Sequence, residues 1–482
     1  MDSRPDRHAA AAAVLATVVS AAAWWAGSSL HPLWWAAWLA PLPLLLVAPR
    51  LRARQAALAT CLAFAAGSLN QWHYLIDVLG LPPATMVGVA AGVAAAMTVV
   101  VLLFRALALR GRPLAAAFSA PLAGTGLAWA AAALSPHGTF GNIAYTQMDV
   151  PLVLQVAALA GLWGVGFLVL LGPATVAAAL CARAGVRARL LAAATGVGVL
   201  AAALAFGAWR LHDDAPVDHQ RVALLDIGSG TGPAPELGSA EGRHLLAGYV
   251  AGLERLAAGQ RIDVAVLPES VLLLRGQALA PLQALADRHG MRIVLGAEDH
   301  GGHSPRNAAL VYTPGADTPQ AYAKHHLIPG IEDRYAPGHA RLLLPGDPAT
   351  AVAICKDLDF TATAREHARL GARLLLVPAW DFGVDARMHA RMAAMRGIEG
   401  GFAIARAARD GHLTLSDDRG RILAEASAVG THGPVALVAD LPLRDAGTPY
   451  RLWGDAFGPI CLALAALLAA GVLRGRAPER AS

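Results

Sequence analysis

The sequence predicts a multi-pass α-helical membrane domain of about eight transmembrane helices joined to a layered α/β domain outside the lipid, and three observations carry that prediction. Hydrophobic residues make up 56% of the 482-residue chain and charged residues only 15%, too apolar a balance for a soluble protein of that length. Only 4 of the 34 acidic residues fall in residues 1–210, against 28 in 211–450 and 2 in 451–482. From residue 219 the apolar residues regroup into short β-branched and aliphatic runs separated by helical patterns. The expected domains are therefore 1–210, with about seven membrane helices, 211–450, which is polar, and 451–482, with one more helix and a tail.

Apolar stretches able to cross ~30 Å of hydrocarbon run over roughly 9–26, 32–48, 55–72, 84–108, 114–134, 154–180, 188–209 and 455–473. The second is broken by Pro41 and Pro43, and the third ends on the polar Asn70, Gln71 and His73. The first is expected to be retained rather than cleaved, because no small-residue cleavage site leads from it into a soluble domain. Basic residues fix the orientation. Arg4 and Arg7, then Arg50, Arg52 and Arg54, then Arg110 and Arg112, then Arg183, Arg187 and Arg189, and finally Arg474, Arg476 and Arg480 all fall on one side of the predicted spans. The loops near 27–31, 73–83 and 135–150 carry neither Arg nor Lys, so residues 211–450 are expected on the extracytoplasmic side of a bacterial inner membrane.

Several function classes are excluded. Residues 211–450 carry 28 acidic against 23 basic side chains, a net −5, which argues against nucleic-acid binding despite the overall +5. Of the four cysteines, at 61, 181, 355 and 461, only Cys355 lies in the polar domain, so no disulfide framework is available there. No phosphate loop, dinucleotide fingerprint or haem motif occurs, and no cofactor is expected. The chain has 37 arginines and only two lysines, Lys324 and Lys356, which hints that a compact, titratable amine is needed at those two places.

In the polar domain, strands are expected at Arg221–Leu225, Asp263–Leu267, Arg292–Leu295, Ala308–Tyr312, Ala351–Ile354 and Arg373–Val377. Helical patterns cover 239–258, 278–289, 361–371 and 386–400. Chemistry is sought just past the strands. Asp263-Val-Ala-Val-Leu-Pro-Glu269-Ser270 sets a carboxylate beyond a buried strand, where it can serve as a general base or simply cap a helix. Tyr322-Ala-Lys324-His325-His326-Leu-Ile-Pro329-Gly-Ile-Glu332 carries one of the two lysines; its adjacent histidines lack a third ligand at metal spacing, so no metal is expected. Val352-Ala-Ile-Cys355-Lys356-Asp357 delivers a cysteine into a turn. Such a cysteine is either a small buried hydrophobe or a nucleophile, and Lys356 beside it, with its cation favouring the thiolate, points to chemistry. Lys356 and Asp357 enter as supporting residues.

Together these stretches resemble the nitrilase superfamily, and the membrane frame makes the chain similar to the apolipoprotein N-acyltransferase family over nearly its whole length. The resemblance rests on Leu267-Pro-Glu269-Ser270, Lys324-x-His326-Leu-x-Pro329-x-x-Glu332, Ile354-Cys355 and Met392-x-x-Met395-Arg396-x-x-Glu399. It extends to Phe140-Gly-Asn-Ile-Ala-Tyr145-Thr-Gln147-x-Asp149 and Gly161-x-Trp163-Gly-Val-Gly-Phe167. It implies an αββα sandwich, with Glu269 as general base, Cys355 as nucleophile, Lys324 as the cation facing a tetrahedral oxyanion, and Glu332 as a supporting acid. It further implies a membrane phospholipid as acyl donor, a thioester on Cys355, and the α-amine of a diacylglyceryl-modified lipoprotein as acceptor. The sequence departs from the family pattern at Lys356-Asp357, at Pro378-Ala-Trp380-Asp381 and at Asp226-Ile-Gly. A membrane-tethered amidase or amide-forming enzyme acting on a smaller extracytoplasmic substrate, and a catalytically silent scaffold, are the competing readings.

Overall fold

The computed structural model describes residues 7–212, 218–228, 230–346, 348–444 and 447–474, so the sequence-based placements of Arg4, Arg476 and Arg480 lie outside the described residues. Two units emerge: the described parts of Met1–Ser135, Gly141–Leu211 and Asp455–Ser482 form one, and Pro136–Phe140 with His212–Gly454 form the other. The short Pro136–Phe140 segment, expected to be a plain loop between spans, belongs to the polar unit instead.

The first unit is a helical assembly: α1 (Arg7–Gly27), α2 (Trp34–Leu39), α3 (Leu42–Val47), α4 (Ala53–Ser68), α5 (Pro83–Leu109), α6 (Pro113–Leu134), α7 (Pro151–Leu154), α8 (Ala157–Cys181) and α9 (Val186–Leu211). Four more helices belong to the polar unit and are α10 (Ala240–Ala258), α11 (Ala280–His289), α12 (Thr361–Arg369) and α13 (Ala386–Gly400), followed by α14 (Pro449–Trp453); α15 (Phe457–Arg474) returns to the first unit. Among the described residues six helices are long and apolar enough to cross a membrane. The expected spans at 32–48 and 55–72 are not among them. Pro41 and Pro43 divide the former into α2 and α3, and the latter is a 16-residue helix that gives way to a tighter 3₁₀ turn over Leu69–Gln71 and a wider π turn over His73–Val78. There Asn70 Nδ2 donates to Trp25 O at 2.8 Å and Gln71 Nε2 to Ser28 O at 2.7 Å, so the polar end of α4 is fastened to the end of α1. Small residues let helices close on one another: a side chain at Gly126 would overlap the backbone of Leu462. Leu15, Leu62, Val87, Leu180, Leu190 and Leu467 remain exposed, as lipid-facing positions do.

The second unit has two sheets. Their strands are β1 (Asp218–Asp226), β2 (Val264–Val266), β3 (Leu272–Leu274), β4 (Arg292–Asp299), β5 (Arg306–Tyr312), β6 (Gln320–Ala323), β7 (Leu342–Leu344), β8 (Thr350–Val352), β9 (Leu374–Trp380), β10 (Ala403–Arg409), β11 (His412–Ser416), β12 (Ile422–Ser427) and β13 (Val435–Leu443). One sheet runs β13-β1-β2-β4-β5-β6 with β3 beside β4; the other runs β12-β11-β10-β9-β8-β7. Each has a parallel centre, β1-β2-β4 or β8-β9-β10, flanked by antiparallel strands. Val222, Leu224, Val266 and Val294 of one sheet pack with Val352, Ile354, Leu376 and Ala405 of the other. The outer face of the first sheet carries α10 and α11 through Tyr249, Leu253, Leu282 and Leu285. Ala364, Ala368 and Ala393 bring α12 and α13 onto the second. This is the αββα sandwich the resemblance implied.

Polar side chains in such a sandwich gather where parallel strands end, because loops there escape the ladder and can aim side chains into a common crevice. Glu269 follows β2, Cys355 follows β8 and Asp381 follows β9. Two antiparallel steps, β4 to β5 to β6, return β6 to the direction of β4, so Lys324 also leaves its strand at that edge.

Candidate active site

Val264–Val266 is buried on both faces, and Pro268 ends the strand by removing a ladder donor. The chain then turns with Ser270 at φ +50°, a costly conformation for a residue with a side chain. Val271 N donates to Gly296 O, and Gly296 N to Pro268 O, both at 3.0 Å, which clasps the turn against β4. Gly296 is required there, since a side chain would overlap the Glu269 backbone. The Glu269 amide is fixed by Ala379 O of the opposite sheet at 3.1 Å.

Glu269 meets Lys324 directly: Nζ donates to Glu269 Oε1 at 2.8 Å and to Glu332 Oε2 and Oε1 at 2.8 and 3.0 Å. All three side chains are buried. Asn307 of β5 bridges the two acids, its Nδ2 donating to Glu269 Oε1 at 2.6 Å and Glu332 Oε1 at 2.7 Å. Ile328 N donates to Glu332 Oε2 at 2.8 Å, so the acid also braces the loop that carries it. Two carboxylates therefore share one ammonium. Burial, the largest influence, raises the Glu269 pKa, Lys324 pulls it down and Glu332 pushes it up, and the net shift is upward. Burial opposes the Lys324 charge, but Glu269 and Glu332 hold it well above the ordinary lysine range. The arrangement gives a carboxylate ready to take a proton beside a cation that will not release one.

Cys355 begins a 3₁₀ turn at φ +42°, and its Sγ lies 3.5 Å from the Trp380 carbonyl oxygen it donates to. Such a forced turn presents a nucleophile beyond its strand. Asp357, fully buried, holds the turn in register with the lysine loop. It accepts from Ile354 N at 3.1 Å, His325 N at 3.1 Å, His326 N at 2.9 Å and Tyr322 OH at 2.7 Å. One carboxylate thus binds the strand end that carries Lys324 to the turn that carries Cys355.

Lys356 is placed otherwise than the sequence suggested. Its ammonium lies 3.2 Å from His137 Nδ1 and 3.6 Å from Asp359 Oδ2, and the cations with the largest influence on the Cys355 thiol are Lys324 and Arg406. The expected bias toward thiolate is also reversed at rest. Burial first, then Glu269, drives the Cys355 pKa well above the ordinary thiol value, with Lys324 and Arg406 offsetting part of the rise. The sulfur is therefore a thiol until a base takes its proton. His326 stacks on Phe360 at 3.7 Å and His325 on Tyr322 at 5.2 Å, aromatic packing rather than a ligand pair. Among the described residues no group of three or more His, Cys, Asp or Glu side chains is arranged to hold a metal ion.

Three polar residues at this edge are not signalled by the sequence as site residues: Asn307, Arg406 and Asp381. Asn307 and Arg406 sit inside strands with no motif around them. Asp381 shows only as a departure from the family pattern.

Two family models match different stretches of the chain. Residues 20–175 match the apolipoprotein N-acyltransferase N-terminal domain, and residues 239–448 match the carbon-nitrogen hydrolase family. An apolipoprotein N-acyltransferase from Geobacter metallireducens is 25% identical over 91% of this chain and 91% of its own. One from Gloeobacter violaceus is 34% identical over 27% of this chain, an alignment spanning only 24% of that relative. Among solved structures, Saccharomyces cerevisiae Nit3, a member of branch 10 of the nitrilase superfamily, is 19% identical and covers 46% of this chain and 90% of its own, with a TM-score of 0.40. An amidase from Nesterenkonia sp. is 22% identical, covering 48% and 94%, with a TM-score of 0.39. With both domain families in order along one chain and a relative aligned nearly end to end, the chain belongs to the apolipoprotein N-acyltransferase family as a divergent member.

Proposed function

We propose that the protein transfers an acyl chain from a membrane phospholipid, through a thioester on Cys355, to the α-amine of a diacylglyceryl-modified lipoprotein. The observation that carries this reading is the buried Glu269–Lys324–Glu332 cluster, of which Glu269 and Lys324 influence the thiol of a strained Cys355. Glu269 takes the thiol proton as sulfur attacks the donor's ester carbonyl. The Lys324 ammonium faces the oxyanion that forms. Its hydrogens are engaged by the two acids at rest, and protonation of Glu269 weakens one of those bonds when negative charge appears on the substrate. Collapse breaks the carbon–oxygen bond, and Glu269 returns its proton to the departing lysophospholipid hydroxyl. In the second half the acceptor amine attacks the thioester, Glu269 takes the amine's proton, the carbon–sulfur bond breaks, and that proton returns to Cys355.

Glu332 and Asp357 are positioning residues in this scheme, one for the lysine and one for the register of the two turns. Lys356 supports the turn after the nucleophile through His137 and Asp359. Both substrates are lipids anchored in a bilayer, which a multi-pass enzyme meets by lateral diffusion. The alternation of basic clusters supports a bacterial inner-membrane location with the catalytic domain on the extracytoplasmic side.

The test is acyl transfer in proteoliposomes holding a phospholipid with a radiolabelled acyl chain and a synthetic diacylglyceryl-cysteine peptide. The proposal expects a triacylated, amide-linked peptide that disappears with Cys355→Ala. Release of free fatty acid with no labelled peptide would contradict it.

A further inference from the structure

β9 ends on Trp380, whose carbonyl meets the Cys355 thiol, and the next residue is Asp381. Its carboxylate is buried and grips Arg406 of the adjacent parallel strand through both terminal guanidinium nitrogens, one of them at 2.9 Å. Asp381 N donates to Arg409 O at 3.0 Å, which fixes the backbone of the pair as well. Gly411 leaves the space the carboxylate fills, since a side chain there would overlap it. Arg406 stands in the middle of a strand whose seven residues are all buried. Desolvating such a pair costs several kcal/mol, and an apolar pair would fill the same volume without that cost. Burial opposes the guanidinium charge, yet Asp381 keeps it above its ordinary range, and the Asp381 pair holds this cation one residue beyond the Trp380 carbonyl that meets the thiol.

We propose that Arg406 supplies the second positive charge felt by the Cys355 sulfur when it becomes negative, and that Asp381 both anchors that cation and limits its strength. The inference rests on Cys355 being the nucleophile. The Glu269 amide meets Ala379 O and the sulfur meets Trp380 O, so the Glu269–Lys324 pair of one sheet and the Asp381–Arg406 pair of the other both adjoin the end of β9, and all four side chains influence the thiol. Each sheet thus contributes one acid and one cation. Behind them Glu332 accepts from Lys324, and the charge of Asp385 further favours the Arg406 cation. His389 of α13 is cationic, because Asp385, Asp359 and Asp381 outweigh its burial and raise it to about 9. Arg406 touches no reacting atom in this scheme and is a positioning residue acting through charge. The acid at 381, one of this chain's departures from its family, sets how much of that charge reaches the sulfur.

The experiment follows alkylation of Cys355 by iodoacetamide across pH in the purified full-length enzyme in detergent, read on the Cys355 peptide by mass spectrometry. The thiolate displaces iodide, so the rate reports ionisation with no other reactant. Arg406→Gln is expected to move the midpoint to higher pH and slow alkylation at neutral pH about tenfold, the effect of one pKa unit. Arg406→Lys restores part of that loss. Asp381→Asn moves the midpoint to lower pH and speeds alkylation several-fold. Opposite directions are the signature, because a loosened domain moves both variants the same way. Shifts in one direction, or unmoved midpoints, overturn the proposal. The readout needs no acyl acceptor, so failure here is distinct from failure of the proposed acyl transfer, which is judged by the labelled peptide.

Discussion

Replacing Glu332 by glutamine keeps the shape of the side chain and removes its charge, with consequences for both the rate and its pH dependence. The carboxylate accepts at both oxygens: Oε1 from Asn307 and Lys324, Oε2 from Lys324 and Ile328 N. An amide has one acceptor oxygen, so its NH₂ must face donors at the other end. A buried donor left unpaired costs ~1–3 kcal/mol, and more where a charge is involved. If about 2 kcal/mol of this appears in the transition state, where Lys324 must be correctly aimed, kcat falls on the order of 30-fold. A second effect has a definite sign. Glu332 is one of the influences that raise the Glu269 pKa. Removing it lowers that pKa, and the acidic limb of the kcat/KM profile moves to lower pH. The assay is labelled acyl transfer to a diacylated peptide from about pH 4 to 9, spanning the carboxylate limb, for wild type and Glu332→Gln. A limb that stays in place or moves to higher pH would refute the reasoning, even if the rate falls.

Other perturbations give equally definite outcomes. Asp357→Asn removes an acceptor that serves Ile354, His325, His326 and Tyr322, and should cut transfer at least tenfold while lowering Tm, because an amide nitrogen must meet one of those donors. Gly296→Ala pushes the Glu269 backbone, so activity should fall far more than far-ultraviolet circular dichroism changes. Lys356→Met should leave the midpoint of Cys355 alkylation unmoved, since Lys324 and Arg406 are the cations acting on the thiol. His389 is raised from 6.5 to about 9: burial works against its charge, but Asp385 and Asp359 prevail. The stability this contributes is fully present below its unfolded value and is lost as pH rises through about 9, on the order of 3 kcal/mol for a group this enclosed. Thermal unfolding should show Tm declining between about pH 7 and 10 in wild type, and a flatter decline in His389→Gln.

The features legible in the sequence are those where chain-local signals and tertiary structure agree. Leu267-Pro268-Glu269 reads as a strand stop followed by an acid because proline ends the ladder where the loop begins. Helices α10 to α13 fall within two residues of their expected ends for the same reason, their periodicity and their burial coinciding. Strands β3, β7 and β8 have three residues each, too few for a period to declare itself, and only the run leading to Cys355 is visible among them. β10, Ala-Ile-Ala-Arg-Ala-Ala-Arg, hides its nature: alanine favours helix, and the arginines answer to partners that only the fold supplies, Asp381 for Arg406 and the Ser270 carbonyl for Arg409. Asn307 is invisible for a similar reason, since its role exists only once β5 lies beside the Glu269 turn. In the membrane half, composition marks the long helices, whereas α2 and α3 depend on how two prolines divide an apolar run. Lys356 departs from its expected role because adjacency in sequence is not adjacency in space. The 3₁₀ turn sends its side chain toward Asp359 and His137, and the distant Lys324 takes the part expected of it.

The most direct measurement is the covalent state of the sulfur during turnover. Purified enzyme is mixed with phospholipid bearing a deuterated acyl chain, quenched in acid without acceptor, and digested for mass spectrometry. A hydroxylamine-labile deuterated acyl group is predicted on the Cys355 peptide, slowed by Glu269→Gln and discharged when a diacylated lipopeptide is added before quenching. A label on another residue, or transfer to the lipopeptide with Cys355 never acylated, would contradict the thioester mechanism.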